Sequence, residues 1–275
     1  MKILCGIVLY KPNIDELISN LSVIEKQVDK ILLVNNDKTN LKIEKISNQI
    51  SNLEIINLNE NKGIAYALNV ILNYSIDRKY DFTLTLDQDS QCHKNMIQTY
   101  IENLEDNVAL YTPQIVDLNK NDYNDKLENK YINMCITSGC FMNIGYVKNC
   151  RGFDNDFFID FVDFDFSLNV IEQGYKIKFI PKAILYHHLG NAKKIKVLSK
   201  ILKKDIYTFN HNSFRTFYYN RNAILLIKKH HNMPLKKQHI LSLIKWDVLK
   251  ILFEDNKISK LKSVVKGLYK GFKEE

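Results

Sequence analysis

Glycine and proline are scarce in this chain of 275 residues, at nine and four. No G-x-G-x-x-G follows the first predicted strand, which disfavours a dinucleotide-binding turn there. No apolar run approaches the ~18 to 20 residues that a membrane-spanning helix needs. The N-terminal MKILCGIVLYKPN has a short apolar run, but it lacks a small-residue cleavage site and meets Lys11-Pro12. It therefore predicts a first core strand and not a signal peptide. The five cysteines (Cys5, Cys92, Cys135, Cys140, Cys150) are odd in number and lack zinc-like spacing, as expected of cytoplasmic free thiols. Neither an internal repeat nor a low-complexity linker is present.

What is there is ordinary for a globular chain: 45% hydrophobic and 25% charged residues, enough for a sizeable core. The net charge of +8 is unevenly spread. Residues 191–275 carry 20 basic against 6 acidic side chains, or +14, which leaves −6 for residues 1–190. An acidic front and a basic tail point to two different jobs.

Strand and helix patterns alternate through the front. ILCGIVLY, DKILLVNND, LEIINLNE and DFTLTLDQD read as four strands. IDELISNLSVIEKQV, KTNLKIEKISNQI and KGIAYALNVILNYSID read as the intervening helices. Short connections between them predict an α/β protein with a parallel sheet and helices on both faces. Beyond Asp89, VALYTPQIV and KIKFIPKAILYHHLG have strand character and FVDFDFSLNVIEQGY helical character. From Lys193 the pattern is helical and basic. The expected division is a catalytic domain over 1–192 and a basic helical extension over 193–275.

In a doubly wound sheet, ligands bind beyond the carboxyl ends of the strands. Four polar groups fall there: Leu9-Tyr10-Lys11, Asn35-Asn36-Asp37, Asn61-Lys62-Gly63 and Asp87-Gln88-Asp89. Each alone suits a solvated turn. Together they could hold a nucleotide, with Asn36 and Asn61 on base or ribose and the N-terminus of helix 64–76 favouring an anion. Asp87 and Asp89 share one face of their strand, where they repel each other unless a divalent cation lies between them. A second acidic cluster, Asp160, Asp163 and Asp165, is set among Phe residues. Exposed acids of a short helix would read the same way, but partial desolvation would raise a carboxyl pKa and suit a general base.

Taken together, GIVLYKP, VDKILLVNND, NENKGIAYALN, LTLDQDS, TSGCFMN, GFDNDFFIDFVDFDFSLNV and HHLGN resemble a family 2, GT-A-type glycosyltransferase. The resemblance is to the bacterial rhamnosyltransferase-like branch of surface polysaccharide biosynthesis and spans residues 6–191. It implies a GT-A-type, mostly parallel sheet flanked by helices, and an inverting, metal-dependent transfer. It makes DQD a D-x-D element holding Mg²⁺ or Mn²⁺, with Asp89 the direct ligand and Asp87 nearer the sugar or ribose. Leu9, Tyr10, Asn36, Asn61, Gly63 and Gln88 complete the implied donor site. Asp163 aligns with the general base, although Val162 stands where the family usually has a first acid. Asp160 or Asp165 would take the role in another helix register. His187 matches a metal ligand, with His188 as the alternative. Ser138 and Gly139 would floor the acceptor site, with Asp160, Arg215 and Arg221 contributing to it.

The favoured donor is dTDP-rhamnose and the favoured acceptor a glycan on undecaprenyl diphosphate, at the inner face of the cell membrane. A homodimer is allowed, and no nucleic acid is expected. A UDP-glucose or UDP-galactose enzyme of the same family is the nearest alternative. A sugar-nucleotidyltransferase lacks its Gly-rich N-terminal signature here. A non-catalytic membrane- or nucleic-acid-binding module would show no donor turnover.

Overall fold

A computed structural model describes residues 1–39, 45–46, 48–117, 123–187, 193–203 and 205–274. The chain forms two compact units, Met1–Phe158 with Val162–His188, and Ile159–Phe161 with Leu189–Glu275.

The first unit is built on one nine-stranded sheet. β1 (Ile3–Leu9) lies between β2 (Lys30–Asn35) and β4 (Phe82–Asp87), parallel to both, and β3 (Leu53–Asn57) extends the parallel half beyond β2. β1 and β2 read as unbroken apolar runs because both their faces are covered. α1 (Ile14–Ile24) begins at Asn13, whose side chain accepts the Glu16 N–H, and it buries Leu17, Leu21 and Ile24. α2 (Ile64–Asp77) turns Leu68, Ile71 and Leu72 inward. Of the helix predicted over 38–50, residues 40–44 and 47 lie outside the described residues, and 45–46 are helical.

The second half of the sheet supplies the antiparallel part of the mostly parallel arrangement expected. β6 (Val108–Asp117) and β9 (Lys176–His187) pair in parallel, but β8 (Cys140–Asn143) runs antiparallel between β4 and β6. The edge is finished by β5 (Gln91–Cys92) and β7 (Lys130–Ile132), each antiparallel to β9. α3 (Met96–Ile101) packs Tyr100 on Phe141, which stacks in turn on Phe82 at 4.7 Å between ring centres. α4 (Ile144–Val147) and α5 (Val162–Glu172) complete this unit.

The second unit is mainly helical. A small hairpin, β10 (Lys193–Lys194) with β11 (Tyr207–Thr208), accompanies α6 (Lys196–Leu202). Three longer helices follow: α7 (Ser213–Lys229), α8 (Lys236–Phe253) and α9 (Lys257–Lys273). α9 lies close on α7 because Gly267 and Gly271 face backbone, where a Cβ would stand 2.5 and 2.6 Å from the Phe217 and Arg221 carbonyl oxygens. Opposite charges are buried in pairs: Lys260 with Glu254 at 2.6 Å, both side chains 2% exposed, and Lys250 with Asp247 at 3.3 Å. No helix among the described residues is long and apolar enough to cross a membrane.

Candidate active site

Strand register gathers the first group of site residues. Leu9 pairs with Asn35, Asn35 with Asn57, and Val8 with Asp87, so three parallel strands and their neighbour end in one row. Beyond that row, the Asn36 N–H donates to the Leu9 carbonyl at 2.8 Å. The Asn36 amide donates to Asn61 Oδ1 and to the Gly63 carbonyl, and accepts the Lys62 N–H. Asn36 is 4% exposed, so its side chain fixes the loop after β3 onto the loop after β2. Gly63 has φ +86°, and a Cβ there would stand 2.8 Å from the Phe158 carbonyl oxygen. That carbonyl accepts the Ile64 N–H, which occupies one of the free donors at the start of α2. Gln88 bridges to the end of β1: its amide accepts the Tyr10 N–H at 2.8 Å and donates to the Tyr10 carbonyl at 3.2 Å.

Asp87, Asp89 and His187 form the second group. Their ligand atoms all lie within 4.8 Å of one another, with His187 Nδ1 3.9 Å from Asp89 Oδ1. Two carboxylates and an imidazole are donors that suit a hard divalent cation. β9 delivers His187, the end of β4 delivers Asp87 and the turn after it delivers Asp89. His188 lies outside the described residues.

Sequence reasoning missed the residue that ties this group together, Ser90. Its hydroxyl, 2% exposed, is 3.0 Å from His187 Nδ1 and 2.8 Å from Ser138 Oγ, which itself accepts the Asp87 N–H at 3.0 Å. A serine after DQD looks like any turn residue, and only its burial marks it. Asp37, in the predicted row of strand-end groups, is 7% exposed. A hydrogen bond from the Thr39 hydroxyl holds its carboxyl below the usual range.

Antiparallel β8 begins at this same edge, bringing the residues before it to the site. Gly139 donates to the Thr85 carbonyl, and its own carbonyl accepts the Tyr100 hydroxyl; the space a side chain would take is filled by Pro113. Cys140 is no nucleophile: a hydrogen bond with Cys135, and then burial, push its thiol well above the ordinary value. The charge of Asp163 adds a smaller contribution in the same direction. Asp163 occupies the first turn of α5, half-buried, with one oxygen accepting the Phe164 N–H. Asp165 is fully buried and faces Arg151 at 3.5 Å.

The other acceptor candidates belong to the second unit. Asp160 takes three hydrogen bonds from Arg215, and Asn222 donates to the Ile159 and Asp160 carbonyls. These contacts hold Asp160 and Phe161 at φ +64° and +65°, conformations that cost non-glycine residues energy. Arg221 is separate from that pair and meets Glu274 at 2.6 Å.

An acid-bearing edge on a Rossmann-like mixed sheet is the architecture of GT-A glycosyltransferases, and the chain belongs to glycosyl transferase family 2, whose model matches residues 9–163. It is thus a glycosyltransferase. A curated relative, dTDP-rhamnosyl transferase RfbF of Shigella flexneri, is 26% identical over 97% of this chain and 94% of its own. Among solved structures, S. aureus TarS 1-349 superposes with TM-score 0.61 at 13% identity, covering 98% of this chain and 81% of that one. Against the longer TarS chain the match covers only 44% of its length. GalNAc-T7 with UDP, GalNAc and Mn2+ superposes with TM-score 0.58 at 11% identity, covering 91% and 57%.

Proposed function

We propose that this enzyme is an inverting rhamnosyltransferase, using dTDP-β-L-rhamnose and a glycan acceptor carried on undecaprenyl diphosphate in capsule, O-antigen or cell-wall polysaccharide synthesis. The observation that carries the metal-assisted part is the Asp87, Asp89 and His187 cluster at the strand ends. The rhamnosyl donor rests on the full-length likeness to the Shigella enzyme. The TarS complex with UDP-GlcNAc supports a nucleotide-sugar of some kind and keeps a UDP-sugar as the second reading. Residues 1–192 are assigned as the catalytic domain and 193–275 as an extension that keeps the enzyme at the cytoplasmic membrane face.

In this reading Asp89, Asp87 and His187 hold Mg²⁺ or Mn²⁺. A divalent cation there would offset the negative charge that collects on the departing nucleoside diphosphate. Leu9, Tyr10, Asn36, Asn61, Gly63 and Gln88 shape the nucleotide side. Asp163 takes the proton from the acceptor hydroxyl as that oxygen attacks the anomeric carbon from the face opposite the leaving group. Ser138 and Gly139 floor the acceptor side of the first unit; on the second unit, Asp160, Arg215 and Arg221 are assigned to the acceptor's glycan or diphosphate.

The test is release of free nucleoside diphosphate from a donor panel with and without divalent metal. Turnover of dTDP-rhamnose above all UDP-sugars is expected. Preference for UDP-glucose or UDP-galactose would move the enzyme to the second reading, and no turnover of any donor would refute both.

A further inference from the structure

The last helix of the chain has two opposed faces that bury or expose different chemistry. Lys260, Val264, Gly267 and Gly271 face inward and are buried. On the other side Ile258, Leu261, Val265, Tyr269 and Phe272 recur every three or four residues and form one stripe along all of α9. Every member of that stripe is exposed, Ile258 by 74% and Phe272 by 67%. Lys262, Lys266, Lys270 and Lys273 follow the same spacing along one flank. α8 repeats the pattern with Leu241, Ile244, Val248 and Leu252, all exposed. A continuous apolar stripe of this length calls for an occupant, since isolated exposed apolar residues would not line up.

Charge decides between the occupants. Of the acids between Lys236 and Lys273, Asp247 and Glu254 are already engaged with the buried Lys250 and Lys260. Asp255 takes a hydrogen bond from Asn210. Glu274, just beyond, is engaged with Arg221 and Lys270, so the positive charge of the flank rests on Lys262, Lys266 and Lys273. A second copy of the chain would bring a like lysine row against this one, whereas an anionic bilayer satisfies stripe and lysines together. We infer that the outer faces of α9 and α8 form a docking surface for anionic phospholipid, with the α9 stripe entering the headgroup layer and its lysine flank held by lipid phosphates. This deepens the membrane location proposed above by naming the surface that makes the contact.

The experiment is flotation of the 275-residue chain with vesicles of phosphatidylcholine mixed with phosphatidylglycerol, against phosphatidylcholine alone. Binding to the mixed vesicles only, weakened by salt, is expected. L261Q/V265Q/Y269Q should lower the partition by at least about tenfold at unchanged charge. K262Q/K266Q/K273Q should lower it on the order of 100-fold, from about fivefold per lysine. These positions are exposed, so both variants should keep the wild-type melting temperature; if one unfolds, the other still decides. Nucleotide release from the donor in solution should be unchanged, and vesicle binding can be scored in an inactive enzyme, so this inference and the proposed reaction fail separately. Wild-type protein that ignores the mixed vesicles, or binds neutral ones equally, overturns the inference. A dimer in sedimentation that the stripe variant dissolves would do so too, giving the stripe to a second copy.

Discussion

Carboxylates are used in opposite ways by the two units. At the strand ends of the first, Asp87 and Asp89 are brought together with like charge, partly open to solvent, with the His187 imidazole 3.9 Å from Asp89. In the second, Glu254 and Asp247 are buried, each against a lysine. A like-charged pair repels, and a bound cation would offset that repulsion, whereas an opposite pair is complete as folded. A cluster of like-charged acids at the strand ends therefore suits a cation, and a buried acid–lysine pair suits internal architecture.

The strongest test of this contrast is Asp89→Ala. It should abolish transfer and weaken donor binding only when divalent metal is present. Equal donor affinity in the variant with and without metal, measured by calorimetry, would remove Asp89 from the metal site.

Next in size is the buried pair. Glu254→Gln leaves Lys260 buried without its counter-charge and should cost about 3 to 5 kcal/mol of stability, read from denaturant unfolding. Burial pushes the Glu254 pKa up, but hydrogen bonds from Lys260 and Thr208 outweigh it and leave the pKa below the ordinary value. Its stabilisation is therefore present above the unfolded pKa and lost as pH falls through the folded one. Wild-type melting temperature should drop below about pH 4 more steeply than that of the variant.

Asp163→Asn should lower turnover by about 100-fold or more while donor and metal binding stay near wild type. If Asp163→Asn keeps full turnover and Asp160→Asn or Asp165→Asn does not, the base lies elsewhere on this segment. The smallest effect is expected from Ser90→Ala. Loss of the hydroxyl beside His187 should weaken Mn²⁺ affinity by about 10- to 100-fold, read by the Mn²⁺ electron paramagnetic resonance signal, with rescue by Ser90→Thr.

Much of the first unit was legible in the sequence because its parallel strands are buried on both faces and therefore appear as unbroken apolar runs. The Asp87-Gln88-Asp89 turn was legible for the same reason, since it ends such a run. The direction of β8 was not, because a short apolar segment such as Cys140–Asn143 carries the same pattern whichever way it pairs. Nor was the partnership of Asp160 with Arg215, which lie 55 positions apart and meet only through tertiary packing. Ser90 was hidden by its chemistry, since a small hydroxyl residue after a strand has no pattern that separates a turn from a buried relay.

Gln88 has the geometry of a peptide group supplied by a side chain. Its amide offers Tyr10 one acceptor and one donor, the complement a neighbouring strand would present, at the point where β1 and β4 have stopped pairing. The ladder is thereby lengthened by one rung that belongs to no strand. Each such neutral bond contributes about 1 kcal/mol, and it lies in a solvent-exposed position. The middle letter of DQD thus acts as a weak clasp between two loops, and the two acids that flank it take their backbone footing from β1 as well as from β4.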